Sequence, residues 1–88
     1  MKKGKLANGF EYEVDEMVLD DMELLDAVAE AQDENPLKIS QVITMVLGKE
    51  QKRHLYDHIR NENGRVPTAA AIDAIMELFE ALGDDGKN

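Results

Sequence analysis

The sequence predicts a mainly α-helical fold, a small four-helix domain with a short N-terminal β-hairpin. From Asp20 onward, apolar residues recur at the three- and four-residue spacing of amphipathic helices. Pro36, Gly48 and Gly64 interrupt this pattern and divide it into four segments. Before Asp20, apolar and polar residues alternate next to an Asn8-Gly9 pair, which is typical of a hairpin.

The length of 88 residues predicts one domain, residues 1–83, followed by a flexible polar tail at residues 84–88. The chain contains no cysteine, so disulfide bonds and thiolate zinc sites cannot supplement the core. Helix packing therefore has to stabilise this fold, and burial against a partner subunit is a further source of stability.

The formal net charge is −9, and the charges are unevenly placed. Between Leu6 and Leu37 there are eleven acidic residues and no Lys or Arg, whereas five of the ten basic residues fall between Lys49 and Arg65. A negative field opposes binding to nucleic-acid phosphates and anionic membranes, and it favours solubility or a basic partner. The N-terminus lacks the apolar run of a signal peptide, and no stretch approaches the roughly 20 apolar residues of a membrane span. We therefore expect a cytoplasmic protein with neither nucleic acid nor membrane as its partner.

The hairpin is expected at about residues 3–15. Asn8-Gly9 favours a type I′ turn, because both central positions of that turn need a positive φ. Phe10, Tyr12 and Val14 alternate with acidic residues, as in a half-buried strand. A lone hairpin is marginally stable in water, so these three side chains should pack on the helices or on another chain.

The first helix is expected to begin near Asp20 and to end before Asn35-Pro36, since a residue before proline avoids the α region. Its predicted apolar face consists of Met22, Leu25, Val28 and Ala29. Leu24 is expected at the edge of this face.

The second helix is expected to be the central one, with Asn35 as its cap and Pro36 at its first position. Met45 widens its apolar stripe beyond half of the circumference. Gly48 should end the helix in a left-handed cap conformation. The stripe consists of Ile39, Val42, Ile43, Val46 and Leu47.

The third helix is expected at about Lys49–Asn61, on the surface, because its apolar stripe is narrow. The residues of that stripe are Leu55, Tyr56 and Ile59. A second row, spaced four residues apart, consists of Glu50, His54, His58 and Glu62. Two His at this spacing can bind a metal. Solvated His–Glu pairs are the much more common case, so no metal site is predicted.

The fourth helix is expected to begin near Pro67 or Thr68 and to end at Leu82. Three consecutive alanines in its first turns favour helix and permit a neighbour to approach closely. Its predicted apolar face consists of Ile72, Ile75, Met76, Phe79 and Leu82.

Residues for catalysis or cofactor binding are poorly represented. Ser40 is the only serine, it lies within a predicted helix, and no histidine is near it in sequence. No glycine-rich loop follows a strand, so nucleotide binding is unsupported. We therefore predict a protein that is not an enzyme, with no catalytic residue, no metal and no cofactor.

Four segments carry a resemblance to a known family: Asn8–Asp15, Asp20–Leu25, Asn35–Leu37 and Gly64–Pro67. Together they resemble small tail-assembly proteins of long-tailed bacteriophages that infect Gram-positive bacteria, a family called tail assembly chaperones. The similarity covers roughly residues 9–83 and rests on turn and cap residues and on size.

This resemblance implies a non-enzymatic protein that binds the tape measure protein, or other tail proteins, during tail morphogenesis. It also implies that the protein is encoded by a phage or prophage, that it acts in the cytoplasm of the bacterial host, and that it is absent from the mature virion. Many copies making weak contacts could coat a long client, so a homo-oligomer is one expectation. The alternative function, suggested by the acidic run, is an inhibitor that mimics DNA and blocks a nucleic-acid-binding enzyme.

An amphipathic client helix would need an apolar groove on an otherwise charged surface. Apolar side chains that a domain this small cannot fully cover are candidates for that groove. The protein-binding candidates are Ile39, Met45, Met76 and Phe79. The competing interpretation places all four in the hydrophobic core.

Overall fold

The structure, a computed structural model, describes residues 1–33, 35 and 37–86. These residues form an antiparallel hairpin of strands β1 (Lys2–Lys5) and β2 (Glu11–Val14). Three helices follow, α1 (Met22–Asp33), α2 (Lys38–Ile59) and α3 (Thr68–Gly86). The mainly helical fold with an N-terminal hairpin is confirmed, but the prediction of four helices is wrong.

The predicted second and third helices form one element, α2, with an interruption at Gly48. Gly48 has φ 82° and ψ 163°, backbone angles that essentially only glycine adopts. The backbone therefore departs from helical geometry where the sequence predicted, and two helical segments meet there at a kink, but Gly48 has an extended ψ instead of the left-handed helical cap conformation. The helix ends at Ile59, before the predicted Asn61, because Arg60 adopts an extended conformation.

The two parts of α2 are joined by the side chain of Lys52. Its Nζ donates to the carbonyl oxygen of Ser40 (3.2 Å), to Ser40 Oγ (2.7 Å) and to Thr44 Oγ1 (2.9 Å). Twelve residues of straight helix would span about 18 Å, too far for this contact. The bend at Gly48 therefore brings Lys52 back onto the first part of the helix, and these bonds hold it there.

The hairpin loop differs from the predicted type I′ turn. Asn8 cannot occupy such a turn, since no non-glycine residue of the described chain has a positive φ. Instead, Leu6 N–H donates to the Phe10 carbonyl (2.8 Å) and Gly9 N–H donates to the Leu6 carbonyl (2.9 Å). This closes a three-residue loop, Ala7 to Gly9, with the positive φ (93°) at Gly9 alone.

The predicted half-buried character of β2 is confirmed, because Tyr12 and Val14 are buried whereas Glu11 and Glu13 are exposed. Gly4 lies opposite Tyr12 in the sheet register, and a Cβ at that position would collide with the phenol ring. The glycine in β1 therefore lets the tyrosine fold across its partner strand.

The hairpin is attached to two helices through its backbone. Glu13 N–H donates to Gln51 Oε1 (2.8 Å), and Gln51 Nε2 donates to the Glu13 carbonyl (2.7 Å). At the loop, Ala7 N–H donates to Glu77 Oε2 of α3 (2.7 Å). These contacts satisfy polar groups at the sheet edge and fix the hairpin against α2 and α3.

One hydrophobic core joins the hairpin to all three helices. The largest side chains with almost no exposure belong to the helices: Leu24, Val42, Ile43, Leu55, Ile75 and Leu78. The hairpin contributes Leu6, Phe10, Tyr12 and Val14. The expectation that the alternating strand residues pack on the helices is therefore confirmed.

Two further helix boundaries differ from prediction. α2 begins at Lys38, and its N-cap residue Leu37 makes no side-chain capping bond. Asn35 contributes its carbonyl oxygen, which accepts from Lys38 N–H (2.9 Å); the predicted role of Pro36 lies outside the described residues. α3 begins at Thr68 as predicted but continues past Leu82 to Gly86.

The longer α3 places residues 84–86 of the predicted polar tail in a helix. Gly83 is not among the glycines with positive φ, so it does not act as the helix stop that the sequence predicted. Lys87 and Asn88 lie outside the described residues. Across the described chain, no helix has the length and apolarity needed to cross a membrane.

Candidate functional site

Helix α1 carries apolar side chains on two opposite sides. Its start is fixed by Asp21, whose Oδ1 accepts from Glu23 N–H (2.9 Å), rather than by Asp20 as predicted. The inner row of α1, formed by Leu24, Ala27 and Val28, packs on the core. The outer row, formed by Met22, Leu25 and Ala29, is exposed.

The predicted apolar face of α1 is therefore confirmed for Val28, which packs against the core, and wrong for Met22, Leu25 and Ala29, which are exposed. Leu24, expected at the margin, is 2% exposed, whereas Met22 and Leu25, expected in the core, are 68% and 54% exposed. Both rows have helical spacing, and the row that α2 covers is the one that contains two small alanines, Ala27 and the half-buried Ala31. Small side chains permit the closer approach of the two helices.

An apolar groove of ≈ 210 Å³ lies between the start of α2 and the start of α3. Leu37 stands at its edge and is 84% exposed. The groove is lined by Leu37, Ile39, Ser40, Tyr56, Val66, Thr68 and Ala71. Aliphatic and aromatic side chains dominate this lining, so the groove can receive apolar side chains of a partner.

A basic shelf adjoins the groove along α2, in a depression of ≈ 370 Å³. It is lined by Thr44, Lys49, Lys52, Arg53, Tyr56 and Arg60. Tyr56 belongs to both surfaces, and Lys52 Nζ lies 5.6 Å from the centroid of its ring. The bend at Gly48 and the bonds of Lys52 therefore position this shelf beside the groove.

The four predicted protein-binding residues do not form one continuous surface. Ile39 lines the apolar groove. Met45 lines a different depression, of ≈ 300 Å³, between α1 and α2. Met76 and Phe79 lie one turn apart on α3; Met76 is 41% exposed, whereas Phe79 packs partly against the core, as Ile39 and Met45 also do.

The burial of α3 explains the exposure of Met76. The predicted face of this helix included Met76, but the side chains that are buried are Ala71, Ala74, Ile75, Leu78 and Leu82. Alanines at two of these positions let α3 lie close to its neighbours, which turns Met76 toward solvent.

The depression at Met45 is acidic. Three exposed carboxylates of α1 line it, Glu23, Asp26 and Glu30. We call them the acidic row of α1, because each follows one residue of the outer row in sequence. Lys38 also lines this depression and lies 3.6 Å from Glu30, which leaves Glu23 and Asp26 without a cation in the described chain.

The histidine row is divided by the fold. His58 Nε2 donates to the Asn8 carbonyl (2.7 Å), and its ring lies 6.1 Å from that of Phe10, so His58 attaches the hairpin loop to α2. Glu62 lies beyond the end of α2 and cannot extend the row. In the part of the chain that is described, no group of three or more potential ligands could hold a metal ion.

Sequence reasoning missed the outer row, the exposure of Leu37 and the position of Tyr56 between the groove and the shelf. One signal for the outer row was available, because α1 has apolar residues on both sides of its helical wheel. The chain matches no protein-family model, and no curated protein and no solved structure is significantly similar to it.

Proposed function

We propose that this protein is a non-enzymatic tail assembly chaperone, which binds the tape measure protein of a long-tailed phage in the host cytoplasm. The resemblance of its turn and cap segments to that family supports the proposal. The observation that carries it is the apolar groove, open to solvent beside the exposed Leu37.

The groove suits the apolar face of a client helix. Ile39, a predicted binding residue, contributes to its lining, and the ring of Tyr56 adds a flat apolar surface with a polar hydroxyl. A helix presents anchors every three or four residues, and such anchors bind in apolar grooves between helices. The groove is small, so each copy would bind weakly and many copies would act together on a long client.

The test uses a helical fragment of the tape measure protein of a long-tailed phage of Gram-positive bacteria, with binding measured by fluorescence anisotropy. Leu37→Asp should weaken binding about tenfold or more, because a charged group would enter an apolar contact. The matched control is Met17→Asp, since Met17 is also an exposed apolar residue (64%) outside the groove. Circular dichroism checks that both variants fold.

The proposal fails if the wild-type protein does not bind the fragment, or if Leu37→Asp binds as tightly as Met17→Asp. The same samples test the DNA-mimic alternative. Inhibition of a nuclease by the wild-type protein, without any binding of the tape-measure fragment, would favour that alternative.

A further inference from the structure

Two surfaces of this chain have matching patterns and opposite charge. On α1, each residue of the acidic row directly follows a residue of the apolar outer row in sequence, so the two rows run side by side along the helix. Along α2, the apolar groove runs beside the basic shelf, and the two meet at Tyr56. Each surface therefore offers an apolar strip with charges along one side.

The charges on both surfaces are available to a partner. Within the described residues, no carboxylate pairs with Lys49 or Arg53, and no cation pairs with Glu23 or Asp26. Arg60 is bound to Asp57 (2.8 Å), and Lys52 Nζ donates to the neutral oxygens of Ser40 and Thr44, so Lys49 and Arg53 are the shelf cations best placed to pair with a partner. Opposite charges arranged this way favour correct encounter of two surfaces.

The two surfaces cannot satisfy each other within one chain. The inner row holds α1 against the core, so the outer row on the opposite side of the helix faces away from it. Met22 and Leu25 are left more than half exposed, and a second molecule is needed to cover them.

We propose that α1 of one copy docks on the apolar groove and basic shelf of a second copy. Met22 and Leu25 enter the groove beside Tyr56, and Asp26 and Glu23 face Arg53 and Lys49. This inference requires no tail protein, and it makes α1 of a neighbouring copy a competitor for the surface that the proposed client uses. The contact joins two different surfaces, so it is heterologous.

Sedimentation velocity over a concentration series tests this contact with charge reversals. The wild-type protein should show a mass above that of the monomer that rises with concentration. Asp26→Lys and Arg53→Glu should each shift association to concentrations about tenfold higher, because each places like charges across the contact. The double variant that carries both Asp26→Lys and Arg53→Glu should restore association, because opposite charges again face each other across the contact.

A mixture of the two single variants gives an independent measurement. Asp26→Lys keeps an intact groove and shelf, and Arg53→Glu keeps an intact α1. The mixture should therefore associate where neither variant does alone. Leu25→Asp, which leaves the charges of the shelf unchanged, should also abolish association.

Glu80→Lys is the matched control, because Glu80 is an exposed carboxylate on α3 away from both surfaces. It makes the same change in net charge as Asp26→Lys. Reduced net charge alone should promote association, so weaker association of Asp26→Lys cannot arise from global repulsion. A wild-type protein that stays monomeric at its highest attainable concentration, or association that neither reversal changes, would overturn the proposal.

Discussion

Two adjacent leucines of α1 have opposite environments. Leu24 is 2% exposed and lies among the largest buried side chains of the core, whereas Leu25 is 54% exposed on the outer row. They share residue type, helix and neighbours in sequence, yet one contributes to folding and the other contacts solvent. The comparison shows that α1 carries more apolar side chains than the core of this chain buries.

The same contrast extends to the two rows of α1. The inner row of α1 is covered by α2 of the same chain, whereas the outer row has a complementary surface only on another molecule. An apolar residue bordered by carboxylates can contact water at a modest free-energy cost, since single exposed apolar side chains are common. Such a face can therefore bind a partner weakly without destabilising the free chain.

The strongest test of the comparison is Leu24→Ala. Removing a buried leucine side chain leaves a cavity, and it should lower the free energy of unfolding by about 2–5 kcal/mol. Urea denaturation followed by circular dichroism measures this change. A loss below about 0.5 kcal/mol, the range of ordinary surface substitutions, would show that the inner row is not the buried one.

A second test changes the receiving surface without altering either face of α1. Gly48→Ala should lower the free energy of unfolding by about 1–3 kcal/mol, because φ 82° and ψ 163° strain any residue with a Cβ. No atom lies within 4 Å of the added Cβ, so the cost arises from the backbone alone. Unchanged or increased stability would mean that α2 straightens readily, in conflict with the bend that Lys52 holds.

The smallest expected effect on stability is that of Leu25→Ala. At a low protein concentration, where the chain is monomeric, its free energy of unfolding should differ from that of the wild type by no more than about 0.5 kcal/mol. The same substitution should weaken self-association, which the sedimentation series measures. A large loss of stability in the monomer would place Leu25 in the core and remove the basis for the outer row.

Much of the local structure was predictable. The hairpin, the start of α3 at Thr68 and the break in helical geometry at Gly48 follow from alternation, propensity and glycine, which act over a few residues. The hairpin loop was predicted incorrectly because Asn8-Gly9 fits both a two-residue and a three-residue loop. The hydrogen bond between Leu6 and Phe10 decides between them.

The candidate site was predicted less well. Ile39 lines the groove, but the sequence could not show that Leu37, Tyr56 and Val66 would complete it, since the bend of α2 and the position of α3 bring them together. Met45 was assigned to the same stripe as Ile39, yet the two line different depressions, because α1 lies beside Met45 and α3 beside Ile39.

The sequence by itself determined three features: the spacing of apolar residues that produces the helices and the strand, the glycine at the bend, and the separation of acidic from basic residues along the chain. Periodicity places residues on faces of a helix but does not decide which face is covered. Only the tertiary structure chose Leu24 over Leu25 for the core and placed the basic shelf beside an apolar groove. The physical reason is that burial depends on how closely neighbouring elements can approach, and that distance is set by side chains far apart in sequence.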